Sequence, residues 1–430
     1  MLRSIDQEKC IGCGSCFKTC GFDVFRLETK RPESAPCQAA CPAGIDIRSY
    51  AHLLQQGKTA EAAEELLSRN PLPGLTCRVC PRFCESKCTR KGIDASVNVN
   101  ALEQYLAEWL ARRDVEPVPV TRAGRVAIVG SGAAGMAAAF FMRRKGYAVT
   151  VYEKEGHPGG QFRTPEFADA LEAQIRFLKA EGIEFRCNTP VGDGEAVTVR
   201  SLRAHHVKAV ILATGAARDK AERTTPPFAS IVDITPDQFI DADPLTLATR
   251  TNGVFAAGPV RGGSHLAPHE VRDAFEAAFS ADRFVNGWDM LESRPPRKPE
   301  VYEMHTGTLF EYDPELPVGN LPASPRNDRA RDAEGRPVPF GYETACREAN
   351  RCLTCGAKAY AHYKDDCMTC FFCEQACPTG AIIVNPFKER LPRTIECTRE
   401  GDPEDRPSYQ SGRPDHRRRL FRTLGGDQRP

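Results

Sequence analysis

"GRVAIVGSGAAGMAAAFFMRRKGYAVTVYEK", Gly124 to Lys154, decides the fold. It reads as an apolar strand, a glycine-rich turn, a helix of small and apolar residues, and a second apolar strand ending at Glu153. Gly130, Gly132 and Gly135 spell G-x-G-x-x-G. The first glycine permits a tight turn, the second lets the backbone approach a pyrophosphate, and the third lets helix and strand pack closely. Phosphate charge then meets the helix N-terminus around Ala133 and Ala134. Glu153, with Lys154 beside it, stands about twenty residues on, where a carboxylate accepts from ribose hydroxyls. Strand, helix and acid in this order predict a Rossmann-like α/β domain that binds a dinucleotide. Outward from this unit, strand-like and helix-like runs alternate through residues 119–290.

Three later segments narrow the ligand: "GHPGGQFR" after Glu153, "KAVILATGAA" at 208–217 and "TNGVFAAGPV" at 251–260. Taken singly, each is an ordinary buried strand or glycine turn. In this order they resemble the segments by which two-dinucleotide-domain flavoprotein reductases hold FAD. The resemblance implies that Gly159, Gly160 and Gln161 lie near the isoalloxazine, that Ala213, Thr214 and Gly215 lie beside the cofactor, and that Gly258 and Pro259 lie at its ribityl chain. That family's nicotinamide domain falls between the last two segments. Here only the 37 residues from 216 to 252 separate Gly215 from Gly253, and no second glycine fingerprint occurs. The expectation is an FAD half without its NAD(P)H half. One departure stands out: the family's aspartate after "GVFAAG" is Pro259. Backbone N–H groups of a helix starting near Pro268 are then expected to compensate.

Composition sets the outer bounds. The 430 residues suffice for two or three domains. With 58 basic and 57 acidic residues the net charge is +1, which argues against nucleic acid as a partner. No run reaches the ~18 apolar residues of a membrane span, and the first residues lack the apolar core of a signal peptide. A cytoplasmic protein is expected. Nineteen cysteines, many two or three residues apart, cannot all pair at the about 5.5 Å Cα spacing of a disulfide. A reducing compartment would not keep such bridges either, so metal or cluster ligation is the better account.

"KCIGCGSCFKTCG" presents Cys10, Cys13, Cys16 and Cys20, and "DCMTCFFCEQACPTGAI" presents Cys367, Cys370, Cys373 and Cys377. Both follow the C-x2-C-x2-C-x3-C spacing of bacterial ferredoxins, in which three close thiolates grip one [4Fe-4S] cube and the fourth often reaches another. Zinc fits less well, because it usually takes two separated pairs. Whether Cys20 and Cys377 exchange clusters depends on whether the two ends dock.

A third set is "APCQAACPAGIDIRSYAHLL", "LTCRVCPRFCESKCTRKG" and "VNVNALEQYLAEW". Together they resemble the N-terminal iron–sulfur domain shared by the small subunit of NADPH-dependent glutamate synthase and dihydropyrimidine dehydrogenase. In that family an R-C-x-x-C pair stands just upstream; here Thr29 and Pro32 occupy the places, and the phrase appears instead at Glu348 to Cys355. The resemblance implies one cluster on Cys37, Cys88, Cys352 and Cys355. It implies a second on Cys41, Cys80, Cys84 and a non-cysteine side chain, for which Glu103 matches best with Gln104 next door. A solvated helix position is the plain alternative for Glu103. Cys77, Cys187, Cys346 and Cys397 are left over, and Cys187 reads as a small buried strand residue. His265 and His269 fall near the flavin end, as tuning or capping residues.

The fold class expected is an α/β Rossmann-like FAD-binding domain plus an α-helical iron–sulfur domain, with ferredoxin-like (α+β) 4Fe-4S segments at both ends. The boundaries are 1–30 ferredoxin-like, 31–118 helical double-cluster, 119–290 FAD-binding without the NAD(P)H insert, 291–345 proline-rich linker, 346–395 ferredoxin-like, and 396–430 a flexible tail. No hydrolytic triad or carboxylate pair stands out. Clusters carry single electrons and a flavin one or two, so their union predicts an oxidoreductase subunit passing electrons between ferredoxin or a catalytic partner and FAD through about four [4Fe-4S] clusters. Such a subunit would be hetero-oligomeric. The alternatives are a stand-alone NAD(P)H:ferredoxin oxidoreductase and a non-catalytic module with structural clusters.

Overall fold

The computed structural model describes residues 2–6, 10, 16, 19–20, 24–27, 34–92, 94–292, 294, 326, 338–355, 359–361, 367, 370–377 and 381–384. The readings of Cys13, of most of the proline-rich connection, and of Cys397 with the Arg-rich tail lie outside the described residues.

Two short strands come first, β1 (Leu2–Ile5) and β2 (Phe25–Leu27). A helical region follows: α1 (Pro36–Ala40), α2 (Ile47–Gln55), α3 (Thr59–Leu67), α4 (Pro73–Val79), α5 (Phe83–Ser86) and α6 (Val99–Arg112). The Asp46 side chain starts α2 by accepting from the Ser49 amide, and prolines at the first positions of α1 and α4 cost no hydrogen bond there. Leu53, Leu54, Leu66, Leu67, Leu102 and Leu106 recur at helical spacing and are all buried.

The α/β region runs β3 (Arg125–Val129), α7 (Ala133–Arg144), β4 (Ala148–Tyr152), α8 (Ala168–Ala180), β5 (Glu184–Arg186), α9 (Val199–Ala204), β6 (Val207–Leu212), β7 (Val254–Ala256) and α10 (Ala267–Asn286). Its five strands lie in the order β5-β4-β3-β6-β7, every pair parallel. Helices cover such a sheet, so the central strand is apolar after its exposed first residue Arg125, Val126 to Val129 being buried. The strand order reverses between β3 and β6, and a ligand crevice opens beyond the carboxyl ends of strands at such a reversal. α7 packs on α10 through small residues, among them Ala137, Ala138, Ala274 and Ala277, which let the two axes approach. The same apolar core continues from Phe140 and Phe177 into Leu75 and Leu106 of the helical region. Cys187 follows β5 and is half-buried rather than buried, because that strand is the sheet edge and ends one residue earlier.

α11 (Tyr342–Ala349) packs on α2 and α6. It begins directly after Pro339, the last proline of the connection, with Phe340 buried ahead of it. β8 (Ala359–Ala361), α12 (Phe372–Ala376) and β9 (Ile382–Val384) complete the described elements. β9 pairs antiparallel with β1, and β8 with β2. Residues near the two ends of the chain thereby share one small core of Leu2, Val24, Phe25, Ala381 and Ile382. No helix of the described residues is long and apolar enough to cross a membrane.

Candidate functional site

Four thiols separated by hundreds of residues meet beside α2. Burial holds the Cys37 thiol well above its usual value, with further upward pushes from Cys352, Cys88 and Cys355 in turn. Burial likewise pushes Cys352 up to about 12. Arg48 of α2, almost wholly buried, donates through Nη1 to the Cys355 carbonyl at 2.9 Å, and its charge draws the Cys37, Cys352 and Cys355 values downward.

A buried polar network holds the 348–355 turn in place. Arg351 Nη1 donates to Glu348 Oε1 at 2.7 Å and to the Ser96 carbonyl at 3.2 Å, and its Nη2 reaches Asp94 Oδ1 at 3.0 Å. The Asn98 amide donates to Glu348 Oε1 at 2.6 Å, and Gln55 Nε2 to the Ala349 carbonyl at 2.8 Å. Arg351 is 1% and Glu348 0% exposed, so each charge depends on the other and on these partners.

The second group lines a small cavity, where Cys41, Cys80, Cys84 and Glu103 converge from α1, the α4–α5 turn, α5 and α6. Burial, then Glu103, pushes Cys41 up to about 12. Burial, then Glu85, pushes Glu103 up to about 8, while Tyr50 draws it down. One residue along α6, Gln104 turns to a different cavity and donates to Asn100 Oδ1 at 3.1 Å. The Tyr50 hydroxyl is buried between the two groups, under the influence of Glu103 and Cys84 on one side and Cys37 and Cys352 on the other, and its hydrogen bonding toward Glu103 is what draws that carboxyl down.

At the docked ends, Cys10, Cys16, Cys367 and Cys373 lie in one core with Cys20 and Cys377 packed against it. Burial pushes Cys373 up to about 11, and the next contribution comes from Cys20, which places a thiol of the first run beside the second. The Leu2 amide donates to Cys367 Sγ at 3.0 Å and the Ala381 amide to Cys377 Sγ at 3.3 Å, hydrogen bonds that suit thiolates.

Among the described residues no three His, Cys, Asp or Glu side chains converge tightly enough to hold a single metal ion. A four-iron cube asks for a looser ring, one donor per iron, and the donor sets above have that composition. A cavity edged by three thiols and one carboxyl fits such a group better than it fits an apolar core.

The crevice beyond β3 and β6 is a cleft of about 1610 Å³ open to solvent. Gly130, Gly132, Glu153 and Lys154 of the fingerprint line it, joined by Gly160 and Gln161 of the next loop; Ala213, Thr214, Gly215 and Pro259 form the far side. Ala133, Ala134, Gly135 and Gly258 stand behind the surface. A Cβ on Gly135 would meet the Gly130 carbonyl oxygen at 1.9 Å, and one on Gly258 the Ala134 Cβ at 2.9 Å, so both glycines serve close packing. Glu153 Oε2 accepts from the Ser131 amide at 3.0 Å, tying the turn to the end of β4. His265 also lines the cleft, its pKa lowered by burial and then by Arg218.

Glu270 is the cleft residue that pattern reading missed. It lies in the first turn of α10, is 5% exposed, and accepts from Gln161 Nε2 at 3.1 Å. Burial pushes its carboxyl up to about 7, against the pull of the Ala134 amide. The same turn reaches the cysteines: Pro268 lines the Cys41–Cys80–Cys84–Glu103 cavity, and the His269 ring stands edge-on to Phe83 at 6.1 Å, next to Cys84. The sequence places Pro268 and His269 near the flavin end, but nothing local marks Glu270, because only the packing of α10 across α5 and α7 brings this turn to both cavities.

Residues 30–115 match the family model described as dihydropyrimidine dehydrogenase domain II, 4Fe-4S cluster; residues 128–179 match an NAD(P)-binding Rossmann-like domain, and residues 3–26 a 4Fe-4S binding domain. The NAD-dependent dihydropyrimidine dehydrogenase subunit PreT of Escherichia coli K12 is 35% identical over 192 residues, covering 42% of this chain and 45% of that protein. The NADPH-Fe(3+) oxidoreductase subunit beta of Geobacter sulfurreducens is 34% identical over 200 residues, 44% of this chain and 29% of that one. The chain thus spans less than half the length of these relatives. A thioredoxin reductase of Gloeobacter violaceus superposes on 40% of the chain at 15% identity and a TM-score of 0.26, too slight to bear on function. The chain is related to oxidoreductase subunits and carries 4Fe-4S domains and a Rossmann-like nucleotide-binding domain.

Proposed function

We propose that this chain is the electron-transfer subunit of a larger oxidoreductase, passing electrons between FAD in the cleft and a partner enzyme or ferredoxin through four [4Fe-4S] clusters. The observation that carries the reading is the first turn of α10. Pro268 lines the cavity of Cys41, Cys80, Cys84 and Glu103, Glu270 lines the nucleotide cleft, and the two are less than one helical turn apart. A two-electron site and a one-electron site thereby share a wall.

The residues divide the work. Gly130, Gly132 and the start of α7 receive the pyrophosphate, Glu153 the ribose, and Gly160, Gln161 and Ala213 to Gly215 the ring end. Cys37, Cys88, Cys352 and Cys355 form one ligand set; Cys41, Cys80, Cys84 and Glu103 form the next. The runs at 10–20 and 367–377 supply two more, with Cys20 crossing to the second run. Bound flavin would supply the interchange between paired and single electrons. Arg48 supplies positive charge to the first set, and a carboxylate replaces one thiolate in the second, so the two sets differ in their affinity for an electron. The partner is expected because both relatives carry the word subunit in their names.

The match of residues 128–179 to an NAD(P)-binding model favours a second reading, in which a nicotinamide nucleotide uses this chain directly. Anaerobic purification with iron, sulfide and flavin counts decides the first point, about sixteen irons and one FAD per chain being expected. Mixing the protein with NADH or NADPH in a stopped-flow instrument decides the second. Unchanged flavin absorbance supports the subunit reading; rapid bleaching without any partner overturns it in favour of the stand-alone enzyme.

A further inference from the structure

We infer that Glu270 supplies the carboxylate that accepts hydrogen bonds from the polyol chain of the bound dinucleotide, in place of a side chain at position 259. The inference rests on the proposal that the cleft holds FAD. Proline at 259 has no side-chain acceptor, and it stands where the chain leaves β7 through Gly258 and lines the cleft. The Glu270 carboxylate comes to that spot from another element. Its Oε2 lies 3.9 Å from a Cβ built on Gly258, a position itself 2.9 Å from Ala134 Cβ at the start of α7. The group is therefore wedged between the turn at 258–259 and the first turn of the dinucleotide helix.

Its hydrogen-bonding capacity is only half taken up. Two carboxylate oxygens offer about four acceptor sites. Gln161 Nε2 takes one at 3.1 Å, and the Ala134 amide takes another. Both donors are neutral. The nearby charges oppose each other, Asp273 pushing the pKa up and Arg218 drawing it down. A buried carboxylate with unused lone pairs, facing a cleft, suits hydroxyl donors. Phosphate oxygens are poor company for it, and they have the backbone amides of 130–132 instead. The first turn of a 20-residue helix adds a favourable dipole for the charge.

Equilibrium FAD binding to the full chain with its clusters intact tests this, using wild type, Glu270→Ala, Glu270→Gln and the double variant Pro259→Asp/Glu270→Ala, with ADP as a ligand that lacks the polyol. At a pH above about 8, where the Glu270 carboxyl is charged, Glu270→Ala should weaken FAD on the order of tenfold, the size of a hydrogen bond to a charged group, and leave ADP unchanged. Glu270→Gln, which keeps an acceptor, should stay within a few-fold of wild type. An aspartate at 259 should restore most of the loss. Equal weakening of FAD and ADP, or wild-type FAD affinity in Glu270→Ala, overturns the inference, as does failure of Pro259→Asp to restore binding in a double variant with wild-type iron content. Absence of FAD binding by the wild-type protein overturns the parent proposal instead.

Discussion

Glu103 shows how much turns on a single position. In sequence it is the better match, with Gln104 next door; one residue on a helix is a rotation of about 100°, and that rotation takes Glu103 to the thiols and Gln104 to another cavity. The resemblance favours Glu103, and the packing of α6 is what sets that residue among the thiols. Replacing Glu103 by alanine leaves three thiols for one cube. Iron content should then fall by about four of sixteen atoms, with the signals of the remaining clusters unchanged in electron paramagnetic resonance. An unaltered iron count would remove Glu103 from the ligand set. Arg48, Tyr50 and Glu270 had no such local signal: an arginine, a tyrosine and a glutamate on helices are ordinary surface or core residues until distant elements close around them.

The α11 segment is held by buried charge as well as by the apolar contacts of Phe340, Ala345 and Ala349. Breaking one half of a buried ion pair strands the other half, at a cost of about 3–5 kcal/mol, more than an exposed pair contributes. Arg351→Met should therefore release the 338–355 segment, seen as a lowered thermal midpoint and faster proteolysis ahead of Tyr342, together with loss of the cluster on Cys37, Cys88, Cys352 and Cys355. A variant as stable as wild type would show that the ion pair is dispensable there. At this scale the chain was partly legible. The β3–α7–β4 unit follows from glycine spacing and apolar runs, and the cysteine runs follow from ligand spacing, since both signals are local. The partner of Cys352 and Cys355 was reached only through resemblance, because no periodicity within 346–355 records which surface 250 residues away receives it.

The whole molecule is organised around returns of the C-terminal region. Ending the chain after residue 337 would remove Cys352, Cys355 and the 367–377 run, leaving two complete donor sets: Cys41, Cys80, Cys84 and Glu103, and the run Cys10, Cys13, Cys16 and Cys20, which then closes on itself. About eight irons should remain of about sixteen, with the nucleotide cleft intact and still binding FAD, measured by metal and flavin analysis of the shortened protein. Retention of more than about eight would contradict the ligand assignments. The pairing of β1 with β9 has a further bearing on how the protein is made. At about 5–20 residues per second, a ribosome needs roughly 20–70 seconds to travel from Cys20 to Cys377. For that interval the early thiols stand exposed on a nascent chain, prone to oxidation or to capture of the wrong metal, so maturation has to wait for the last strand or be shielded until it arrives.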